Sequence, residues 1–130
     1  FATKFAAIKL SELAIGIGPF VVGPAVERKV GTSAFSAMTI NATKWFDAEW
    51  AREKGLYTEI FETTDEMDVE IDKLATTLSN SNPQAMEGLK KIMWEGTEHW
   101  DTLLMERAVS SGKLVLSDFT KNAIEKFKSK

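Results

Sequence analysis

Between Leu13 and Val26 the chain reads LAIGIGPFVVGPAV, an apolar stretch interrupted by three glycines and two prolines. No other segment restricts the fold so strongly. A continuous helix cannot pass through Gly16-Ile17-Gly18-Pro19, and the run is short of the ~20 apolar residues that a membrane helix needs. Gly16, Gly18 and Gly23 allow the backbone to approach another strand or a ligand closely. Pro24 suits the first position of a helix and Gly31 its end. A single carboxylate, Glu12, precedes the run among Leu10, Leu13, Ala14 and Ile15. Such a group loses hydration, which suits it to exchanging a proton near neutral pH.

On either side of this stretch the local signals are those of short elements. Phe1 to Ile8 is Ala-rich and reads as a connection plus a strand ending near Leu10, although the residues alone fit a helix equally well. A helix is predicted over Val22 to Val30. A second follows to about Ile40, capped by Thr32 or Ser33, with Phe35, Met38 and Thr39 on one side. Asp47 is the expected N-cap of a helix from Ala48 to Lys54, and Gly55 lies past its end. Leu56 to Phe61 reads as a short strand.

Beyond Phe61 every signal is helical. Thr63 and Glu66 have the spacing of a capping box, ahead of a stripe of Met67, Ile71, Leu74 and Leu78. Pro83 opens a helix with Met86, Leu89 and Met93 in line, and Gly96-Thr97 breaks the pattern. Trp100, Leu103, Leu104, Arg107 and Ala108 form the next stripe, with the arginine stem able to lie along it and Gly112 as its expected end. Ser117 caps the last helix, whose buried candidates are Phe119, Ala123, Ile124 and Phe127. The predicted class is therefore predominantly α, with a mixed strand and helix portion first.

The totals exclude several function classes. A formal net charge of −3 without a dominant basic cluster argues against nucleic acid or an anionic membrane as partner. The absence of cysteine excludes a disulfide framework and thiol chemistry. It fits a cytoplasmic protein, and no secretory leader is recognised. His99 is the single histidine; without a second one or a cysteine it makes a poor metal site and reads as a surface residue.

Lys9-Leu10-Ser11-Glu12-Leu13-Ala14-Ile15-Gly16-Ile17-Gly18-Pro19 resembles the enoyl-CoA hydratase/isomerase (crotonase) superfamily, whose members carry a Ser/Thr-Glu or Pro-Glu pair ahead of a Gly-x-x-Pro turn. Three later segments agree in order. Arg28-Lys29-Val30-Gly31 resembles the family's Arg-x-x-Gly helix end. Trp50-Ala51-Arg52-Glu53-Lys54-Gly55-Leu56 resembles its Asp-Ala-x-x-x-Gly-Leu-Val segment, and Asn82-Pro83-Gln84-Ala85 with Lys90 its Pro-x-Ala…Lys helix. The resemblance spans essentially this whole chain but only the second half of a typical member. With a start at Phe1 rather than methionine, it suggests a fragment.

The resemblance implies the C-terminal part of the α/β crotonase (ClpP/crotonase-like) spiral fold over residues 1–61, followed by its helical oligomerisation region over 62–130. It implies an acyl-CoA substrate, no cofactor beyond the coenzyme A thioester itself, and a homo-oligomer, a trimer or dimer of trimers. Glu12 becomes the expected catalytic acid/base for hydrating a 2-enoyl-CoA, or alternatively for isomerising it. The amides that hold the thioester enolate, and any second glutamate, would lie upstream, which leaves the isolated chain inactive. Ile15, Gly16, Pro19 and Phe20 are expected along the acyl pocket. Phe20-Val21-Val22 stands where many hydratases have small residues, which would reshape that pocket. Phe119, Lys126 and Phe127 are expected near the adenosine end of coenzyme A. The terminal lysines Lys121, Lys126, Lys128 and Lys130 suit a solvated helix end as well as a phosphate.

Three structural readings stand beside these. Glu12 could pair with Lys9 or Arg28. Trp45, Phe46 and Trp50 could anchor a short helix, meet a neighbouring subunit or wall an acyl tunnel. The whole chain could be a non-catalytic oligomerisation or binding module. A Gly-Gly-Gly-type turn about twenty residues upstream of Glu12 would favour the enzyme.

Overall fold

The structure, a computed structural model, describes residues 1–128; Lys130 lies outside them. The elements run β1 (Ala2–Thr3), β2 (Ala7–Ile8), a 3-10 turn (Glu12–Ile15), α1 (Gly23–Ile40), β3 (Phe46–Asp47), α2 (Ala48–Glu53), β4 (Ile60–Phe61), α3 (Thr64–Ser79), α4 (Pro83–Met93), α5 (Trp100–Val115) and α6 (Asp118–Lys128). The chain is mainly helical, and its described strands all precede α3. β1 pairs parallel with β4, Ala2 opposite Ile60. β2 pairs antiparallel with β3, Ala7 opposite Asp47.

The ambiguity over the first eight residues resolves in favour of strands, two of them, separated by a turn in which Ala6 N donates to Thr3 O at 3.0 Å. The predicted strand over Leu56 to Phe61 shrinks to its last two residues. The amides of Leu56 and Tyr57 both donate to Ala51 O, at 2.8 and 3.2 Å, which wraps the chain around the end of α2 before it can extend.

α1 contains both helices expected before Asn41, joined across Gly31, whose backbone (φ 76°, ψ 160°) is not helical. Pro24 occupies its first turn as expected. Thr32 does not cap the second half; its hydroxyl donates to Glu27 Oε1 at 2.8 Å across the kink. α2 begins as predicted, with Asp47 Oδ1 accepting from Trp50 N at 2.8 Å. The capping box of α3 is complete: Thr63 Oγ1 accepts from Glu66 N, and the Glu66 carboxylate accepts from Thr63 N. Asn82 Oδ1 caps α4 through the amides of Gln84 and Ala85.

The packed centre lies under α1. Leu10, Met38 and Phe46 are buried together, with Ile8, Val26, Phe35 and Trp50 against them. The aromatic cluster divides here. Phe46 and Trp50 pack with ring centroids 4.2 Å apart, anchoring α2. Trp45 is 60% exposed and carries the Lys9 ammonium over its ring at 4.5 Å.

Two expectations for the last helices are corrected. Gly112 does not end α5, which continues to Val115. A glycine inside a helix is destabilising by ~1 kcal/mol relative to alanine but does not force termination, and Gly112 lacks the positive φ of a glycine cap. In α6 the buried residue is Thr120; Ala123 and Ile124 are half-buried, whereas Phe119 and Phe127 are 68% and 74% exposed. The inward face of α6 carries Thr120, Ala123 and Ile124; Phe119 lies one residue off it, whereas Phe127 shares that face but is exposed in the last turn.

No described residue of α3, α4 or α5 is buried. Ile71, Leu74, Leu78, Leu89, Ile92 and Met93 all stand exposed. Long-range polar contacts tie these helices to the rest. Lys4 pairs with Glu62 ahead of α3. Arg28 of α1 donates through Nη2 to Met93 O at 2.5 Å and Glu95 O at 3.0 Å, satisfying carbonyls at the end of α4. Arg107 of α5 donates through Nη1 to Phe20 O at 3.3 Å.

Candidate active site

Glu12 opens the 3-10 turn that follows β2. Ala14 N donates to Ser11 O at 3.1 Å, Gly16 N to Leu13 O at 3.1 Å and Ile17 N to Glu12 O at 3.0 Å. Gly16 closes the turn with φ 85°, a left-handed conformation that favours glycine. The Glu12 side chain is half-buried, and among the described residues its Oε2 atom is buried with no hydrogen-bond partner. Leaving such an acceptor unmet costs about 1–3 kcal/mol, so an orphan in a native fold points to a ligand, a water or a reacting proton.

Neither of the predicted structural partners satisfies it. The Lys9 ammonium lies over Trp45, and the Arg28 guanidinium is engaged with the end of α4. The carboxylate therefore stands apart from both cations that the sequence offered it.

The residues around the turn are held from two sides. A Cβ at Gly16 would collide with the Phe119 ring and lie 2.9 Å from Thr120 Oγ1, so the first turn of α6 sits directly on this glycine. A Cβ at Gly18 would strike the Phe20 ring, which folds back over it, and Phe20 N donates to Gly18 O at 2.7 Å. Pro19 is buried and Ile15 half-buried. Arg107 then grips the Phe20 carbonyl from α5.

Of the proposed binding residues, Ile15, Gly16, Pro19, Phe20 and Phe119 thus surround one short segment. Lys126 and Phe127 lie on the far turns of α6. Phe127 is eight residues beyond Phe119, or ~12 Å at 1.5 Å rise per residue. Sequence reading did not single out Thr120. It is fully buried, with its hydroxyl 3.2 Å from the Ser117 cap, and the only hint of it was its place three residues after that cap.

Two open grooves lie elsewhere, on α3: one of ≈ 480 Å³ lined by Phe61, Asp65, Glu66, Val69 and Glu70, another of ≈ 640 Å³ running on from Val69 to Thr77. Neither reaches Glu12. His99 is exposed beside Trp100, and no group of three metal-ligating side chains occurs among the described residues. No described helix is long and apolar enough to cross a membrane.

A family profile described as enoyl-CoA hydratase/isomerase matches residues 1–128. The chain belongs to the enoyl-CoA hydratase/isomerase family. Solved structures of the family share its fold. An enoyl-CoA hydratase/isomerase from Pseudoalteromonas atlantica superposes with a TM-score of 0.87 at 20% identity, covering 98% of this chain and 51% of the other. An enoyl-CoA hydratase from Mycobacterium avium gives 0.84 at 26% identity, with 95% and 48% covered. One from Bacillus halodurans gives 0.82 at 21%, with 95% and 49% covered. The chain therefore spans about half the length of these structures. Comparison with curated proteins gives no match. In crotonase terms, the mixed strand and helix portion and the helices after it have the backbone of the second half of the fold.

Proposed function

We propose that this chain is the C-terminal half of an enzyme that acts on an acyl-CoA thioester by hydrating a 2-enoyl-CoA, with Glu12 as general acid/base. The observation that carries the reading is the Glu12 carboxylate, half-buried with one oxygen unpartnered, on a turn held just past its C-terminal end by α6 at Gly16 and by Arg107 at Phe20. In the forward direction the carboxylate takes a proton from water as the oxygen bonds to C3. The C2–C3 π electrons move toward the thioester carbonyl, giving an enolate, and a proton then reaches C2. Backbone amides contributed from outside these residues would hold the enolate oxygen. A positioned carboxylate contributes ~10²–10⁴-fold in such proton transfers.

Residues 1–61 would close the α/β core and residues 62–130 would be the oligomerisation region. The exposed apolar side chains of α3 and α4 support a homo-oligomer, a trimer or a dimer of trimers. Phe119, Lys126 and Phe127 would flank the coenzyme A, and Ile15, Gly16, Pro19 and Phe20 the acyl chain. The enzyme would work in the cytoplasm. The same carboxylate would serve an isomerase by moving a proton between C2 and C4, and the assay distinguishes the two by product.

The test is Glu12→Gln in the full-length enzyme, read as hydration of a 2-enoyl-CoA together with CoA binding. The expected result is intact binding with turnover lowered by at least ~10²-fold. Turnover equal to the unmutated enzyme rules the assignment out. The purified 130-residue chain is expected to give no turnover of crotonyl-CoA; specific turnover there would show that the enolate is held within these residues.

A further inference from the structure

Two contacts more than eighty residues apart in sequence hold the Glu12 segment. At Gly16, the first turn of α6 closes so tightly that a single added methyl would overlap the Phe119 ring and approach Thr120 Oγ1. At Phe20, the Arg107 guanidinium of α5 donates to the main-chain carbonyl. The α5–α6 corner between them is itself locked by Ser117. Its hydroxyl donates to Leu114 O at 2.6 Å, accepts from Thr120 N at 3.3 Å and lies 3.2 Å from Thr120 Oγ1. Thr120 is fully buried in this corner although α6 is otherwise exposed or half-buried.

α1 packs against the turn as well, but few hydrogen bonds fix it. Its own hydrogen bonds are the three local ones from Ala14, Gly16 and Ile17, and Leu13 and Ala14 are exposed. A 3-10 turn of four residues is not stable by itself. From this we infer that the α5–α6 corner is a clamp that sets the position of the Glu12 carboxylate, with Thr120, Phe119 and Arg107 as positioning residues. The inference rests on the reading of Glu12 as the acid/base. It adds that the last two helices control the reaction through a chain of contacts, Thr120 and Phe119 to Gly16 to the Glu12 turn, apart from any part they take in assembly.

The clamp makes a local prediction. Loosening the corner should free the turn while the core under α1 stays closed. Amide hydrogen exchange in the full-length enzyme reads this directly, because Gly16 N and Ile17 N are the two donors that close the turn. Thr120→Val keeps the buried volume but removes the hydroxyl. Phe119→Ala removes an exposed ring and does not disturb the interior. Both are expected to speed exchange at Gly16 and Ile17 by at least ~10-fold, with amides of the second half of α1 unchanged. Thr120→Ser, which keeps the hydroxyl, should restore the slow rate relative to Thr120→Val, and Asn122→Ala on the exposed side should do nothing. In the full-length enzyme, Thr120→Val and Phe119→Ala should lower kcat by up to ~10²-fold, the scale of a 1 Å misplacement, with Thr120→Val leaving KM unchanged.

Exchange at Gly16 and Ile17 that stays slow in both variants overturns the clamp. So does acceleration that extends equally into α1, since that is general loosening. Faster exchange with full kcat overturns it as a positioning device. Because exchange does not depend on the chemistry, retained turnover in Glu12→Gln would sink the catalytic reading while leaving the clamp measurable.

Discussion

Gly16→Ala tests a position that is specified twice over. Two separate penalties meet there. The backbone sits at φ 85°, ψ 16°, and a left-handed conformation costs a non-glycine residue about 1–2 kcal/mol. The new methyl would also overlap Phe119 and crowd Thr120, and overpacking of this kind costs about 1–3 kcal/mol. The expected loss is ~2–5 kcal/mol, large against a total stability of ~5–15 kcal/mol for a domain. Gly31 supplies the control. Its φ of 76° and ψ of 160° are closed to other residues, yet a Cβ there would meet nothing within 4 Å. Gly31→Ala should therefore show the backbone penalty alone, about 1–3 kcal/mol. Urea unfolding followed by circular dichroism gives both values. The share due to Phe119 is then isolated by a double-mutant cycle. In a Phe119→Ala background, Gly16→Ala should be milder by ~1 kcal/mol or more, because the ring it strikes is gone. Gly31→Ala should keep the same cost with or without Phe119. Strict additivity of Gly16→Ala and Phe119→Ala would refute the contact between α6 and the turn, and with it the account of why glycine is needed at that position.

Two further perturbations address the helices after Phe61. Arg28→Ala removes the donor that satisfies Met93 O and Glu95 O. The expected loss is about 1–2 kcal/mol, seen as faster amide exchange at the end of α4 while the α3 capping box stays protected. Glu98 provides the pH test. Its carboxylate accepts from its own backbone amide and from Gly96 N at 3.0 Å, with smaller contributions from His99 and Arg28, and these hold its pKa below the usual 4.5. A carboxyl lowered in the folded state stabilises above the unfolded value and loses that contribution as pH falls through the folded one. Protection of the Gly96 amide should thus decline as pH drops below 4.5, and Glu98→Gln should remove that dependence.

What the sequence made legible is what is decided within one turn of chain. Asp47, the Thr63–Glu66 pair, Asn82-Pro83 and Ser117 each satisfy amides two or three residues away, so spacing alone locates those helix starts. Gly31 takes its special conformation where the sequence expected a helix end, and its φ of 76° breaks α1 there without stopping the chain from resuming a helix beyond it. Gly112 shows the limit of the same rule, since glycine permits a helix end without requiring one, and α5 runs through it to Val115. The missing strand over Leu56 to Tyr57 is a competition of the same kind, lost to the Ala51 carbonyl.

The candidate site belongs to a different class of information. Glu12 was visible because a charge among apolar neighbours is conspicuous locally. What keeps it unpaired was not, because that depends on where Lys9 and Arg28 find better partners: an indole ring for one, the carbonyls ending α4 for the other. Gly16 illustrates the gap within a single residue. Its left-handed φ is a local demand that any turn could make, whereas its lack of a Cβ serves a helix more than a hundred residues later. The two demands coincide at one position and cannot be told apart by reading along the chain. They separate only when the far partner is removed, since strain in the backbone survives the loss of Phe119, whereas the overlap with its ring does not and only the approach to Thr120 Oγ1 is left.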